Sequence, residues 1–188
     1  MGRGRLIVVA GPSGVGKGSL VQALLVRDPR LARSISATTR PPRPIETDRV
    51  DYFFVDDVGF EEMVAGGELL EWAEVFHGNR YGTPAGWVDE RRDAGLDVLL
   101  EIDVQGAAQV KERAPDAVLI LIAPPSLGDL ESRLRGRGTE DDASIAERLE
   151  GAERELQQAS WFDHVVVNDD LERATDEVAA IIERSRTP

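Results

Sequence analysis

Residues 11 to 17, Gly-Pro-Ser-Gly-Val-Gly-Lys, form a G-x-x-x-x-G-K run whose residue types suit the gripping of a polyphosphate. Backbone N–H groups in such a turn, with the positive end of a following helix dipole, face phosphate oxygens. Lys17 reaches the outer phosphates as a compact point charge. The candidate contacts are Gly11, Pro12, Ser13, Gly14, Val15, Gly16 and Lys17, continuing into Gly18 and Ser19. With 18 glycines, and Lys only at 17 and 111, this composition yields about 0.02 such runs by chance. Of the 22 basic residues all but those two are arginine, yet the loop keeps Lys. An ammonium fits between phosphate oxygens where a wide guanidinium would crowd the cradle. Position 18 is Gly where a Ser or Thr hydroxyl commonly helps hold Mg²⁺, and Ser19 supplies a hydroxyl one place later.

To present phosphate-binding amides, this loop must leave a strand and enter a helix, and the flanking sequence fits. Apolar, strand-like runs occur at 5–10, 97–104, 117–123 and 164–168, separated by helical stretches. Continuous apolar strands alternating with helices predict an α/β fold with a parallel sheet covered on both faces. Helix starts are signalled after Lys17, at Thr83-Pro84 as a cap followed by Pro, after Pro124-Pro125-Ser126, and from Asp142. A last helix over 170–184 has Leu171, Ala174, Val178 and Ile181 at helical spacing, a packing stripe with no chemistry. Residues 34–82 break the rhythm: a proline-punctuated polar stretch, Tyr52-Phe53-Phe54-Val55, a short helix, Gly66-Gly67 and a strand-like run over 68–76. This predicts a small, mostly β lobe inserted in the core.

Composition bounds the function. The 188 residues are 41% hydrophobic and 30% charged, with no cysteine, which excludes disulfides and Cys metal sites. No apolar stretch approaches membrane-spanning length, and the N-terminal apolar run is short for a secretory signal. A net charge of −13 argues against nucleic acid and anionic membranes as partners. The expectation is one domain acting in the cytoplasm on small molecules, with any anionic substrate gripped locally by particular arginines.

Beyond the phosphate loop, ordered motifs run nearly end to end: Ser-x-Ser-x-Thr-Thr-Arg from Ser34, Asp51-Tyr52, Glu71-Trp72-Ala73-Glu74, Tyr81-Gly82-Thr83, Glu101-Ile102-Asp103-x-Gln105-Gly106, Arg133-Leu134-x-Gly136-Arg137-Gly138-Thr139 and Val167-Asn168-Asp169-Asp170. In this order the chain resembles the guanylate kinases, P-loop enzymes that transfer a phosphoryl group from ATP to GMP. The resemblance implies a core of 1–33, 84–124 and 159–188, a GMP lobe at 34–83 and a helical lid at 125–158.

It also implies roles. Arg40 and Arg43 would hold the GMP phosphate bidentately, with Tyr52 and Tyr81 hydroxyls adding hydrogen bonds. Guanine offers N1–H and N2–H₂ donors, so Glu71 and Asp103 would be its acceptors, while Ser36 and Thr83 would serve O6 or nearby groups. Adenine would set an N1 lone pair against those carboxylates, a mismatch that discriminates more strongly than shape. Lid arginines Arg133, Arg137 and Arg148 would close over ATP and join Lys17 and Arg40 in stabilising the transferring phosphoryl group, whereas Arg135 falls on another face. Asn168 would lie near adenine, and dGMP is an expected second acceptor. The Gly-Lys-Gly-hydroxyl order at Gly16 to Ser19 is similar to that of adenylate kinases, implying Mg²⁺ held mainly by phosphates and water, near Glu101.

Taken singly, each of these side chains reads as an ordinary loop or surface residue, and the lid arginines as a charged face paired with Glu131 and Glu147. Two alternatives stay open at this level. One is a guanylate-kinase-like protein-binding module, which would be expected to lose Lys17 or the lid arginines. The other is a P-loop kinase for a different phosphorylated acceptor, which would lack the paired carboxylates.

Overall fold

The computed structural model describes residues 2–74, 78–136 and 141–187. In chain order its elements are β1 (Leu6–Ala10), α1 (Lys17–Arg27), β2 (Leu31–Arg33), β3 (Ala37–Thr38), β4 (Phe53–Phe54), α2 (Asp57–Ala65), β5 (Leu69–Glu74), β6 (Arg80–Pro84), α3 (Ala85–Asp93), β7 (Asp97–Glu101), α4 (Val104–Arg113), β8 (Val118–Ala123), α5 (Leu127–Gly136), α6 (Asp142–Leu156), β9 (His164–Val167) and α7 (Leu171–Arg186).

Five strands make one parallel sheet in the order β2-β7-β1-β8-β9, with Leu6 opposite Val98 and Ile7 opposite Val118. β1 lies at its centre, and all five of its residues are fully buried. Its side chains alternate between two cores. Leu6, Val8 and Ala10 join Val98, Leu100, Leu119 and Leu121 beneath α4, whereas Ile7 and Val9 join Leu99, Ile120 and Ile122 beneath α1 and α7. Burying both faces is what an uninterrupted apolar strand requires. The strand order reverses direction across β1, so the loops after β1, β7, β8 and β9 open on one edge, where α/β sheets place ligands.

A second sheet, β4-β3-β6-β5, is contributed by residues 37–84 and is mainly antiparallel. It covers a small core of Ala37, Phe60 and Leu69, with Trp72 packed edge-on to Phe60. α5 and α6 pack on one another through Leu130, Leu134, Ile145 and Ala152 as a third cluster. Ser126 caps α5 by accepting from the Asp129 N–H, and Asp141 caps α6 by accepting from Ser144.

Three expectations are corrected. The run over 97–104 is not strand to its end: β7 stops at Glu101, and Asp103 turns to cap α4, accepting from the Gly106 N–H at 2.7 Å. Thr83 is no helix cap. It lies in β6, Pro84 takes the cap position without a side-chain bond, and the Thr83 hydroxyl has a different partner. Leu171 is 42% exposed because the buried stripe of α7 runs instead through Ala174, Thr175, Val178, Ile181 and Ile182.

Candidate active site

The phosphate loop leaves β1 and ends at Gly16, the cap of α1, so its amides gather at a helix N-terminus. Two glycines are dictated by close approach. Gly11 has φ +140°, and a Cβ there would lie 2.3 Å from the Ile122 carbonyl oxygen of β8. Gly16 has φ +100°, and a Cβ would lie 2.5 Å from Asn168 Nδ2. Lys17 is folded over its own loop, donating to the carbonyls of Gly11 at 2.5 Å and Pro12 at 3.0 Å.

Elements remote in sequence brace this loop. Asn168, buried just after β9, donates to the Val15 carbonyl at 2.8 Å. Arg133 of α5 donates to the Asn168 carbonyl at 2.8 Å and to Val15 at 3.3 Å. Arg148 of α6 reaches the Ser13 hydroxyl at 2.6 Å. Arg135 turns away to an ion pair with Glu131 at 2.9 Å, as its position on another face predicts. Arg137 lies outside the described residues. Asn168, expected near adenine, has its side-chain amide bonded to the loop at the Val15 carbonyl.

The second sheet builds the other half. Arg40, two residues past β3, donates to the Tyr81 hydroxyl at 3.2 Å and to Glu46 at 2.8 Å, and its guanidinium lies 5.4 Å from the Tyr52 ring centroid. Glu46 also accepts from the backbone N–H of Arg43 at 2.7 Å; the Arg40 bond first and this one second hold its carboxyl below the usual range. Arg43 itself is exposed. Ser36, Tyr52, Tyr81, Glu71 and Asp103 line one cleft of about 570 Å³, a volume suited to a nucleotide-sized ligand.

Glu71 is the electrostatic centre of that cleft. It is 7% exposed, and its Oε1 accepts from the Thr83 hydroxyl at 2.6 Å. Burial pushes its pKa up to about 7; the Thr83 hydrogen bond opposes the rise, and the Asp103 charge adds to it. Thr83, expected at guanine O6 or a nearby group, is fully buried, and its hydroxyl donates to Glu71. A Cβ at Gly106 would lie 3.2 Å from Glu71 Oε2 and 3.4 Å from Asp103 Oδ1, so this glycine lets the two carboxyls approach across α4.

Glu101 closes the gap between the halves. It lines the nucleotide-sized cleft and also the smaller one, of about 290 Å³, formed by Ser13, Gly14, Gly16, Lys17, Gly18 and Ser19. Arg33 holds it at 3.0 Å, and a Cβ at Gly18 would lie 3.2 Å from its Oε1. Glu46 and Glu155 fall in none of the sequence motifs, and Gly106 only closes one of them. Glu155 of α6 has a buried oxygen with no hydrogen-bond partner among the described residues; burial raises its pKa, which the Lys17 charge lowers and the Asp103 charge raises. The Glu-Ile-Asp-x-Gln-Gly spacing is the one local signal for Gly106, and the other two carry none.

The described residues contain no helix long and apolar enough to cross a membrane. Comparison with known proteins agrees with the geometry. The chain is 50% identical over 183 residues to the guanylate kinase of Aromatoleum aromaticum, spanning 97% of this chain and 89% of that one. It is 53% identical over 178 residues to that of Thermobifida fusca, spanning 95% and 90%. The crystal structure of guanylate kinase from Anaplasma phagocytophilum superimposes with a TM-score of 0.76 at 34% identity, over 100% of this chain and 88% of that one. A gluconokinase from Sinorhizobium meliloti shares the fold alone, at a TM-score of 0.53 and 18% identity. With the family model for guanylate kinase matching residues 3–185, this chain belongs to the guanylate kinase family.

Proposed function

We propose that the chain transfers the γ-phosphoryl group of ATP to GMP, and to dGMP, giving ADP and the nucleoside diphosphate. The observation that carries this reading is the meeting of two clefts at Glu101: one a backbone phosphate cradle, the other walled by a buried carboxyl facing a second one.

The phosphate loop and Lys17 take the ATP β- and γ-phosphates. Arg40, braced by Tyr81 and Glu46 and stacked near Tyr52, takes the GMP phosphate, with Arg43 joining from the exposed loop. Glu71 and the free oxygen of Asp103 accept from guanine N1–H and N2–H₂, and Ser36 donates to O6. The acceptor phosphate is already largely ionised at neutral pH, so no general base is needed. Rate enhancement then comes from alignment and from positive charge around the in-line transfer, supplied by Lys17, Arg40, Arg133, Arg137 and Arg148. Helices α5 and α6 act as the lid, since Arg133 and Arg148 already reach the loop from them. Closure excludes water and so suppresses hydrolysis of ATP.

Mg²⁺ fits the residues beside the cradle. The Glu101 carboxylate and Ser19 hydroxyl are hard oxygen donors, and the missing side chain of Gly18 leaves Glu101 its approach. When bound, Mg²⁺ neutralises charge on the phosphates.

A coupled assay of ADP release with Mg-ATP and GMP, dGMP, AMP, UMP or no acceptor tests the proposal. Turnover dependent on GMP and dGMP is expected; none with GMP would defeat it, and equal rates with AMP would defeat the guanine-reading assignment.

A further inference from the structure

The two carboxyls proposed to read guanine belong to different elements, Glu71 to β5 and Asp103 to the cap of α4, and their spacing depends on how these two are held together. Glu71 lies on β5, an edge strand, within an irregular stretch: Leu69 faces Pro84 and Trp72 faces Gly82, so three steps on β5 match two on β6. Such a bulge re-aims a side chain but weakens the pairing around it. Asp103 caps α4, the helix that bonds to β5 through Gln109.

The same helix fastens the bulged edge. The Trp72 N–H donates to Gln109 Oε1 at 3.1 Å, and Gln109 Nε2 donates to the Trp72 carbonyl at 3.0 Å. A primary amide thus satisfies both backbone groups of the residue next to Glu71, as a neighbouring strand would. One turn on, Arg113 donates to the Leu69 carbonyl, so both ends of the bulge are held. Gly106, which leaves room for the Glu71 carboxyl, belongs to the same face: 106, 109 and 113 follow at helical spacing.

We infer that Gln109 is a positioning residue for base recognition: its amide locks the Glu71 strand to the helix that begins with Asp103, fixing the distance between the two acceptors. The inference rests on the proposed reading of guanine by that pair. Hydrogen bonds tolerate only a few tenths of an ångström of slack, and a displacement near 1 Å costs on the order of a hundredfold in a well-aligned site. Gln109 touches no nucleotide, so its loss acts on acceptor affinity and base preference while the phosphoryl-transfer apparatus stays intact.

The test is Gln109→Met in the full chain, a side chain of similar length with no amide. The measurements are kcat and KM for GMP and for IMP, which lacks the 2-amino group, together with the KM for ATP and calorimetric GMP binding. The expected result is a KM for GMP raised about tenfold, part of the hundredfold a full displacement would cost. A matching loss of GMP affinity, a GMP-over-IMP preference reduced several-fold, and kcat and the ATP KM within about twofold of wild type complete the pattern. Gln109→Glu, which keeps the acceptor for the Trp72 N–H, should recover part of the loss. Should Gln109→Met fail to fold, Arg113→Met opens the other end of the same clamp and should shift the GMP KM in the same direction by less. A folded Gln109→Met with wild-type KM and base preference would overturn the inference, as would a fall in kcat alone. Absence of GMP turnover in the wild type would instead overturn the functional reading beneath it.

Discussion

The two halves of the site are built on opposite principles. The ATP side is a single run of residues whose backbone amides do the binding, with glycines at 11, 14 and 16 in positive-φ conformations and long arginines arriving from α5 and α6. The acceptor side has no such run. Ser36, Arg40, Tyr52, Glu71, Tyr81 and Asp103 come from separate strands, loops and a helix cap, and its central group is a buried carboxyl pushed up to about 7. A triphosphate is alike in every nucleoside triphosphate, so generic donors suffice. A base has to be told from other bases, which takes buried polar groups that are left unpaired by the wrong partner. On the proposed reading, most of the charge that supplies rate comes from the ATP side, joined by Arg40, and the acceptor side supplies choice.

Breaking each side should give different kinetics. Lys17→Ala should lower kcat about 10³-fold with either acceptor, read in the ADP-release assay, because it removes charge from the transferring group. Glu71→Ala should raise the KM for GMP about a hundredfold and change kcat far less, since it removes an acceptor from the base and leaves the phosphates untouched. An unchanged GMP KM would show that Glu71 does not read the base.

The pH dependence sharpens the contrast. The folded pKa of Glu71 lies above its ordinary 4.5, so burial disfavours the carboxylate; the resulting cost to stability grows as pH rises from the ordinary value through about 7 and is relieved below it. Guanine's donors need the ionised form. GMP affinity should therefore fall as pH drops below 7, about tenfold per unit from this group, in addition to the titration of the GMP phosphate itself. Glu71→Gln should retain only the phosphate part, and calorimetry between pH 5.5 and 8 separates the two. The smallest effect expected is for Gly106→Ala. A methyl 3.2 Å from Glu71 Oε2 asks the carboxyl to shift by a few tenths of an ångström, which should raise the GMP KM about threefold and leave the ATP KM unchanged.

The same division governs what the sequence made legible. The phosphate loop, the buried strands and the helices at 142 and 171 are local patterns of motif, period and cap, and they are visible in the chain as written. β2 at three residues and β3 and β4 at two are too short to show any period. Thr83 resembled a helix cap because Pro follows it, but the buried Glu71 competes for its hydroxyl and wins. Leu171 fitted the helical spacing yet lies one face off the core. Glu46, Gly106 and Gln109 matter through partners 3 to 37 positions away, brought near by the packing of β5 on α4 and by the turn after Arg40. Family resemblance pointed to Arg40, Glu71 and Asp103; their bracing has no counterpart in local sequence.

The claim that choice resides in the acceptor side is tested most directly by kcat/KM for GMP against AMP in wild type and in Glu71→Gln. The account predicts a wild-type preference for GMP of at least about 10³, shrinking by an order of magnitude or more in the variant. A variant that kept the full preference would contradict it.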